Sequence, residues 1–468
     1  MNGEVDVLKP SEIMDRQPLG RFQAGIIGLC MLVIVLDGFD TQCIGFLAPP
    51  IAKTLGVPLK AFGPVFAAAL VGLMISSMTM GPVADRWGRK WPLVLCTFTF
   101  AMFALLTSRV TSFEELVIFR FLTGLGLGGA IPNGFALVSE YSPRRFVPTS
   151  AALLSAGMPV GALFAGLISS VMLPRWGWQS VFYAGGILPL VFTAILIARL
   201  PESVRFLSVR GAEPQQIARI MAQISPDFAA SPGHLVASHG DQRKDVPVKY
   251  LFREGRAAGT VLLWIPYLMN LLLLYFVVSW LPALLRQNGM SVSAGVAAIS
   301  VFSLGGIIGS VAQGPLMTSI GSYSIMLGEF VLCTIGIGIL ASNASSFAVM
   351  MALVFVLGCC IQGAQGGLNA LVVNFYPTAI RSTGMGWASA FGRIGSIVGP
   401  VLGGVLLSMS WNTQQIFLAA AVPALCAAAS ILPGYWLGGN SRLHWGPANR
   451  KDAANAETKA GAAISSLE

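Results

Sequence analysis

Two carboxylates sit in the stretch VIVLDGFDTQCIGF, residues 33–46, within an apolar run that extends from Ala24 to about Pro49. Asp37 and Asp40 are three residues apart there. A charged side chain at the centre of a bilayer costs about 2.5–3.5 kcal/mol on insertion scales, so an acid retained in such a run marks a proton relay, an ion pathway or a paired charge. At about 100° per residue, Val33, Asp37, Asp40, Thr41 and Ile44 share one helix face. Such a pair can take up and release a proton. The same two acids neutralised by an arginine would serve packing alone.

Two arginines also fall inside apolar runs, Arg120 and Arg393. The guanidinium keeps its charge in any protein environment and offers a planar fork that matches a carboxylate. Arg120 could neutralise either Asp40 or Asp37. Arg393 has no acid at a matching position in the sequence, which makes it the candidate for binding a substrate carboxylate unless an acid such as Glu329 pairs with it. Polar side chains at helical spacing accompany it: Gln362, Gln365 and Asn369 in one run, Tyr267, Asn270 and Tyr275 in another. Amides and phenols can hydrogen-bond ring hydroxyls and stack on a ring. Each could equally make an interhelical hydrogen bond.

The elements that position these residues follow from composition. Of 468 residues, 55% are hydrophobic and 10% charged, with mean hydropathy +0.73, which places the chain among polytopic membrane proteins. A span needs about 20 apolar residues. Twelve such runs occur, near 24–46, 61–80, 92–109, 114–140, 149–172, 179–198, 259–282, 293–313, 323–341, 346–374, 382–408 and 412–437. They predict an N-terminal segment 1–23, a six-helix bundle 24–199, a polar central loop 200–258, a second six-helix bundle 259–437 and a tail 438–468. The first run is too long for a typical signal peptide and is expected to remain as a span. Twenty-two Lys and Arg fall on the side of the termini and the central loop, against five on the other, so both termini are expected in the cytoplasm. The net charge of +9 is accordingly a topology signal, and no basic or aromatic array points to nucleic acid.

The halves repeat each other at a fixed offset. GPVADRWG at 81–88 returns as GPLMTSIG at 314–321, and Pro143, Gly124 and Gly161 correspond to Pro377, Gly358 and Gly395. Two facing repeats with a site between them are the arrangement that permits alternating access. Between spans 2 and 3, GPVADRWGRKWP (81–92) places Asp85, Arg86, Arg89 and Lys90 within reach of Glu140 and beside Arg144 at the end of span 4. These form a candidate gate on the cytoplasmic side. A short loop obeying the positive-inside rule would also be basic.

The segment GPVADRWGRK resembles the G-x-x-x-D-R-x-G-R-[RK] signature of the major facilitator superfamily. LDGFDTQ in span 1, RFLTGLGLGGAIPNGFALVSEYSPRR in span 4, RLPESVRFL after span 6 and YPTAIRSTGMGWASAFGRIGSIVGP into span 11 are together similar to its aromatic acid:proton symporter family. The likeness runs from about Asp15 to Leu437. It implies an all-α membrane protein of two pseudo-symmetric six-helix bundles in a bacterial inner membrane. It also implies uptake of a hydroxybenzoate-, benzoate- or phthalate-like acid with protons, a monomeric functional unit, a transport role for Asp37 and Asp40 with Arg120 coupled to them, and a cycling role for Asp85. The loop copy at 314–321 lacks the Asp and Arg, so any latch is one-sided.

Other classes are disfavoured. An organic-acid or drug exporter of the same superfamily is the alternative, but GSIVGPVLGG (395–404), which fits the antiporter glycine motif, lies in span 11, whereas span 5 reads GMPVGALFAG. A non-transporting receptor would not need both the acids and the latch. No G-x-x-x-x-G-K-[ST] phosphate loop is present, so the proton gradient and not ATP is the expected driving force, with no cofactor. His234, His239 and His444 lie in the polar loop or tail, and the seven cysteines lie in apolar segments, so neither an enzyme nor a metal site is expected.

Overall fold

In hydrocarbon a backbone has no water to bond, so each apolar run must satisfy its own amides, and the α-helix does so within one segment. The computed structural model describes residues 14–15, 17–143, 145–210, 214–224, 248–253, 256–287, 289–342, 346–376 and 381–440. Residues 225–247 of the central loop, both chain ends, the three histidines, Arg144 and part of the YPTAIR motif therefore lie outside the described residues. Eleven helices among those described are long and apolar enough to cross a membrane. One of them, Leu153–Arg199, has 47 residues, more than twice what a bilayer needs. It contains a break: Gly177 stands at φ 74°, ψ 177°, a backbone conformation that favours glycine, and there the chain turns back. This helix is spans 5 and 6, and the count of twelve holds.

Several helices, spans 1, 2, 7 and 8 above all, are longer than the apolar runs suggest. Span 1 is Arg21–Leu55, span 2 Gly63–Trp87, span 3 Lys90–Thr107, span 7 Ala257–Gln287, span 8 Val292–Ile320, span 9 Ser322–Ala341, span 10 Phe347–Phe375, span 11 Arg381–Ser408 and span 12 Thr413–Asn440. Two expected spans are interrupted. Span 4 is Phe113–Leu127 followed by Ala130–Tyr141, and span 5 begins as Val147–Ser155 before Gly157. The first interruption is at Gly128 and Gly129, where helix propensity is lowest.

The repeat is visible in matching close approaches. A Cβ on Gly124 of span 4 would lie 1.9 Å from the Ala69 carbonyl oxygen of span 2, and one on Gly358 of span 10 would lie 2.0 Å from that of Phe302 in span 8. Likewise Gly161 of span 5 meets Val35 O of span 1 at 2.0 Å, and Gly395 of span 11 meets Leu268 O of span 7 at 2.1 Å. Spans 1, 5, 2 and 4 thus pack as spans 7, 11, 8 and 10 do. Small residues let helices approach closely where lipid gives no hydrophobic drive. The glycines of GSIVGPVLGG serve this packing: Gly395, Gly399 and Gly403 all face span 7.

Among the described residues the two bundles share an apolar core mainly at one end. At the end where span 1 finishes, a single apolar cluster joins both halves, from Phe46 and Phe66 to Trp280, Leu284 and Ile299. Phe66 and Trp280 stack edge to face at 5.3 Å, and the Trp280 indole donates to Pro400 O at 2.8 Å. A Cβ on Gly45 would sit 2.3 Å from Val278 O across the interface. At the end where span 1 begins, each half has its own cluster: one runs from Ile26 through Leu137 to Met221, the other from Leu251 to Ile431 with only Leu70 from the first half. The molecule is sealed at the far end and divided at the near one.

Candidate substrate and coupling site

The two acids of span 1 occupy different surroundings. Asp40 is 1% exposed and both its oxygens accept from Arg120 Nη2, at 2.9 and 3.0 Å. The guanidinium also lies 5.5 Å from the Phe182 ring centre of span 6. Of the two partners the sequence left open for Arg120, Asp40 is the one it takes. Asp37 is fully buried; its Oδ1 accepts from Thr41 Oγ1 at 3.0 Å and its Oδ2 has no hydrogen-bond partner.

Arg393 approaches Asp37 from the other bundle. Its guanidinium acts electrostatically on Asp37, Tyr267 and Tyr275. Glu329, the acid considered for Arg393 from sequence, instead accepts from Gln313 Nε2 at 3.2 Å, between spans 8 and 9. Arg393 therefore answers an acid in span 1, which a search within its own half could not find.

The polar residues of spans 7 and 10 do come together. Tyr267 Oη donates to Asn369 Oδ1, and Asn270 Nδ2 donates to Gln365 Oε1 at 3.0 Å and Ile361 O at 3.2 Å. Asn270 Oδ1 is left unpartnered. Gln362 stands apart. A Cβ on Gly306 of span 8 would lie 2.3 Å from its side chain, and its Nε2 is buried without a partner. In the first half, Gly128 of span 4 faces Leu73 of span 2; in the second the small residue has moved to span 8 and Gln362 fills the gap. Gln362 packs between spans 8 and 10.

At the divided end, the candidate gate is assembled around an acid that sequence reasoning did not single out. Glu202 Oε1 accepts from the backbone N–H of Arg89 at 2.7 Å, Lys90 at 3.1 Å and Ser203 at 2.8 Å, closing the N-terminus of span 3. Gly88, at φ 91°, lies so close to this carboxylate that a Cβ would be 2.3 Å from Glu202 Oε2. Arg89 Nε lies 3.9 Å from Glu140 Oε1, as anticipated, and Ser203 Oγ donates to the same carboxylate. Lys90 Nζ donates to Ile197 O at 2.8 Å, and Arg86 is exposed, its carbonyl accepting from Arg210. Asp85 is in the last turn of span 2; its side chain, like Arg144, lies outside the described residues. The signal that could have found Glu202 was its place in RLPESVRFL, directly after the proline that ends span 6.

The matched family model is the Major Facilitator Superfamily, over residues 30–342 and 297–467. The chain belongs to that superfamily. It is 36% identical to a 4-hydroxybenzoate transporter of Pseudomonas aeruginosa over 436 residues, 92% of this chain and 96% of that one. It is also 36% identical to a gallate transporter of Pseudomonas putida (93% and 96% covered), and 32% to a benzoate transport protein of Acinetobacter baylyi (92% and 93%). Among solved structures it superposes on a bacterial homologue of the human lysosomal transporter Spinster, in an inward-facing, unoccupied conformation. That match has a TM-score of 0.68 and 16% identity, covers 92% of this chain and 99% of the other, and bears on the fold.

Proposed function

We propose that this major facilitator imports a small aromatic carboxylate together with protons by alternating access. The observation that carries the reading is the approach of Arg393 and Tyr275 from one bundle to the buried Asp37 of the other. An acid, a guanidinium and a phenol at a bundle interface provide a proton acceptor, a carboxylate partner and a ring neighbour. Relatives named for 4-hydroxybenzoate, gallate and benzoate support the aromatic acid. The excess of basic residues supports a cytoplasmic location for the divided end and both termini, which makes the arrangement inward-facing in a bacterial inner membrane, and the functional unit in this reading is a monomer.

The test is thermal unfolding of the purified protein with benzoate, 4-hydroxybenzoate, protocatechuate and gallate, followed by uptake of the stabilising acid into proteoliposomes under an inward proton gradient. A ligand stabilises only what it binds in the folded state. No shift with any of these acids would sink the assignment.

A further inference from the structure

Arg393 approaches Asp37 from the opposite bundle closely enough to act on it electrostatically, yet no ion pair within 4.0 Å joins them among the described residues, where Arg120 and Asp40 do make one. Asp37 Oδ2 is buried and has nothing to bond. The other ionisable groups around Asp37 are few. Tyr275 approaches it from span 7, beside Arg393; Asp40 and the Cys43 thiol lie on its own helix, and Asp40 is occupied by Arg120 from span 4. Span 5 packs on span 1 at Gly38 and has one ionisable residue, Arg175 at its far end beside the Gly177 turn, well away along the helix from Met158, which faces Gly38; span 8 contains none.

Charge then decides which states the site can adopt when it is shut off from water. Asp40 and Arg120 cancel throughout. In the empty carrier the Asp37 carboxylate and the Arg393 guanidinium cancel as well. A bound substrate carboxylate alone leaves one negative charge in excess, and a bound proton alone leaves one positive charge. With both, the site is again neutral. An uncompensated charge in a low-dielectric interior is strongly disfavoured, so the two neutral states are the ones that can close.

We propose that the substrate carboxylate and Asp37 share one proton beside Arg393, so that the carrier crosses either empty or doubly loaded and works as an electroneutral one-to-one acid:proton symporter. The inference rests on the reading of the site as an aromatic-acid carrier. A proton from the outer solution sits on Asp37 Oδ2 and is donated in a hydrogen bond to one oxygen of the substrate carboxylate. Arg393 donates to the other. On the inner side the substrate leaves as its anion, Asp37 gives the proton to water, and the restored carboxylate compensates Arg393 again.

The experiment uses the full-length protein in detergent, with 4-hydroxybenzoate and gallate as probes and a pH dye in weakly buffered, mildly alkaline solution. The wild type should take up about one proton per ligand bound. In Asp37→Asn the amide can donate to a carboxylate but cannot titrate, so uptake should vanish while affinity stays within about tenfold. In proteoliposomes a pH gradient should drive accumulation, and a potential imposed at equal pH should not. Binding by the wild type without proton uptake, unchanged uptake in a folded Asp37→Asn, or accumulation on a potential alone would each overturn the shared proton and leave the aromatic-acid reading standing. If Asp37→Asn does not fold, the wild-type proton count decides alone. Failure of both probes to bind the wild type would overturn both readings.

Discussion

The Asp40 carboxylate and the Arg120 guanidinium meet at 2.9 Å between spans 1 and 4, each side chain 1% exposed. Removing one partner of such a pair leaves a buried charge without compensation, at a cost of about 3–5 kcal/mol. Asp40→Asn and Arg120→Gln should therefore each lower the unfolding temperature markedly, and the double variant should recover most of the loss. A double variant as unstable as the sum of the singles would show that the two residues are not coupled.

Glu202 closes the N-terminus of span 3 by accepting from two backbone amides there, Arg89 and Lys90. Glu202→Ala should cost about 1–2 kcal/mol, in the range of other lost helix caps, and Glu202→Gln less because one acceptor oxygen remains. Hydrogen exchange at Arg89 and Lys90 is the local readout. Protection unchanged in Glu202→Ala would exclude the capping role.

How much of this was legible in the sequence depends on the range of the interaction. Spans are a matter of local hydropathy, and the repeat offset identified glycines, such as Gly124 and Gly358, that make equivalent close approaches. Partner choice was not legible. Arg120 takes Asp40 and leaves Asp37 to Arg393 because of the relative rotation of spans 1, 4 and 11, which no single helix encodes. Helix-face reasoning grouped Gln362 with Gln365 and Asn369, but a face does not say which neighbour it meets, and Gln362 meets Gly306. Glu202 escaped attention because it binds backbone amides, and charge pairing was the only signal sought.

Gly45 tests the far-end seal. Its missing Cβ would lie 2.3 Å from Val278 O in the opposite bundle, so Gly45→Val should fold but resist closure there. A cysteine placed at Ser279, 5% exposed in the sealed arrangement, should react faster with a maleimide in a Gly45→Val background freed of native cysteines. Gly25→Val, with open space around the position, should leave the rate unchanged. Equal rates in both would mean that Gly45 does not govern the seal.

Arg393 separates an acid carrier from a generic one. A charge-assisted bidentate contact holds a carboxylate by about 1.5–3 kcal/mol. Arg393→Lys keeps the charge but loses the planar fork, and affinity for the acid should fall by about one to two orders of magnitude. Arg393→Ala should lose more, and Tyr275→Phe, which removes only the hydroxyl beside the guanidinium, should cost about 1 kcal/mol. A neutral aromatic amide, bound weakly by the wild type, should be nearly indifferent to all three changes. If Arg393→Ala weakens acid and amide equally, the residue holds the bundle interface and not the substrate. Arg120, whose Nε and Nη1 have no hydrogen-bond partner while Nη2 holds Asp40, would then be the alternative partner of the carboxylate, with the amides and phenols of spans 7 and 10 around the ring.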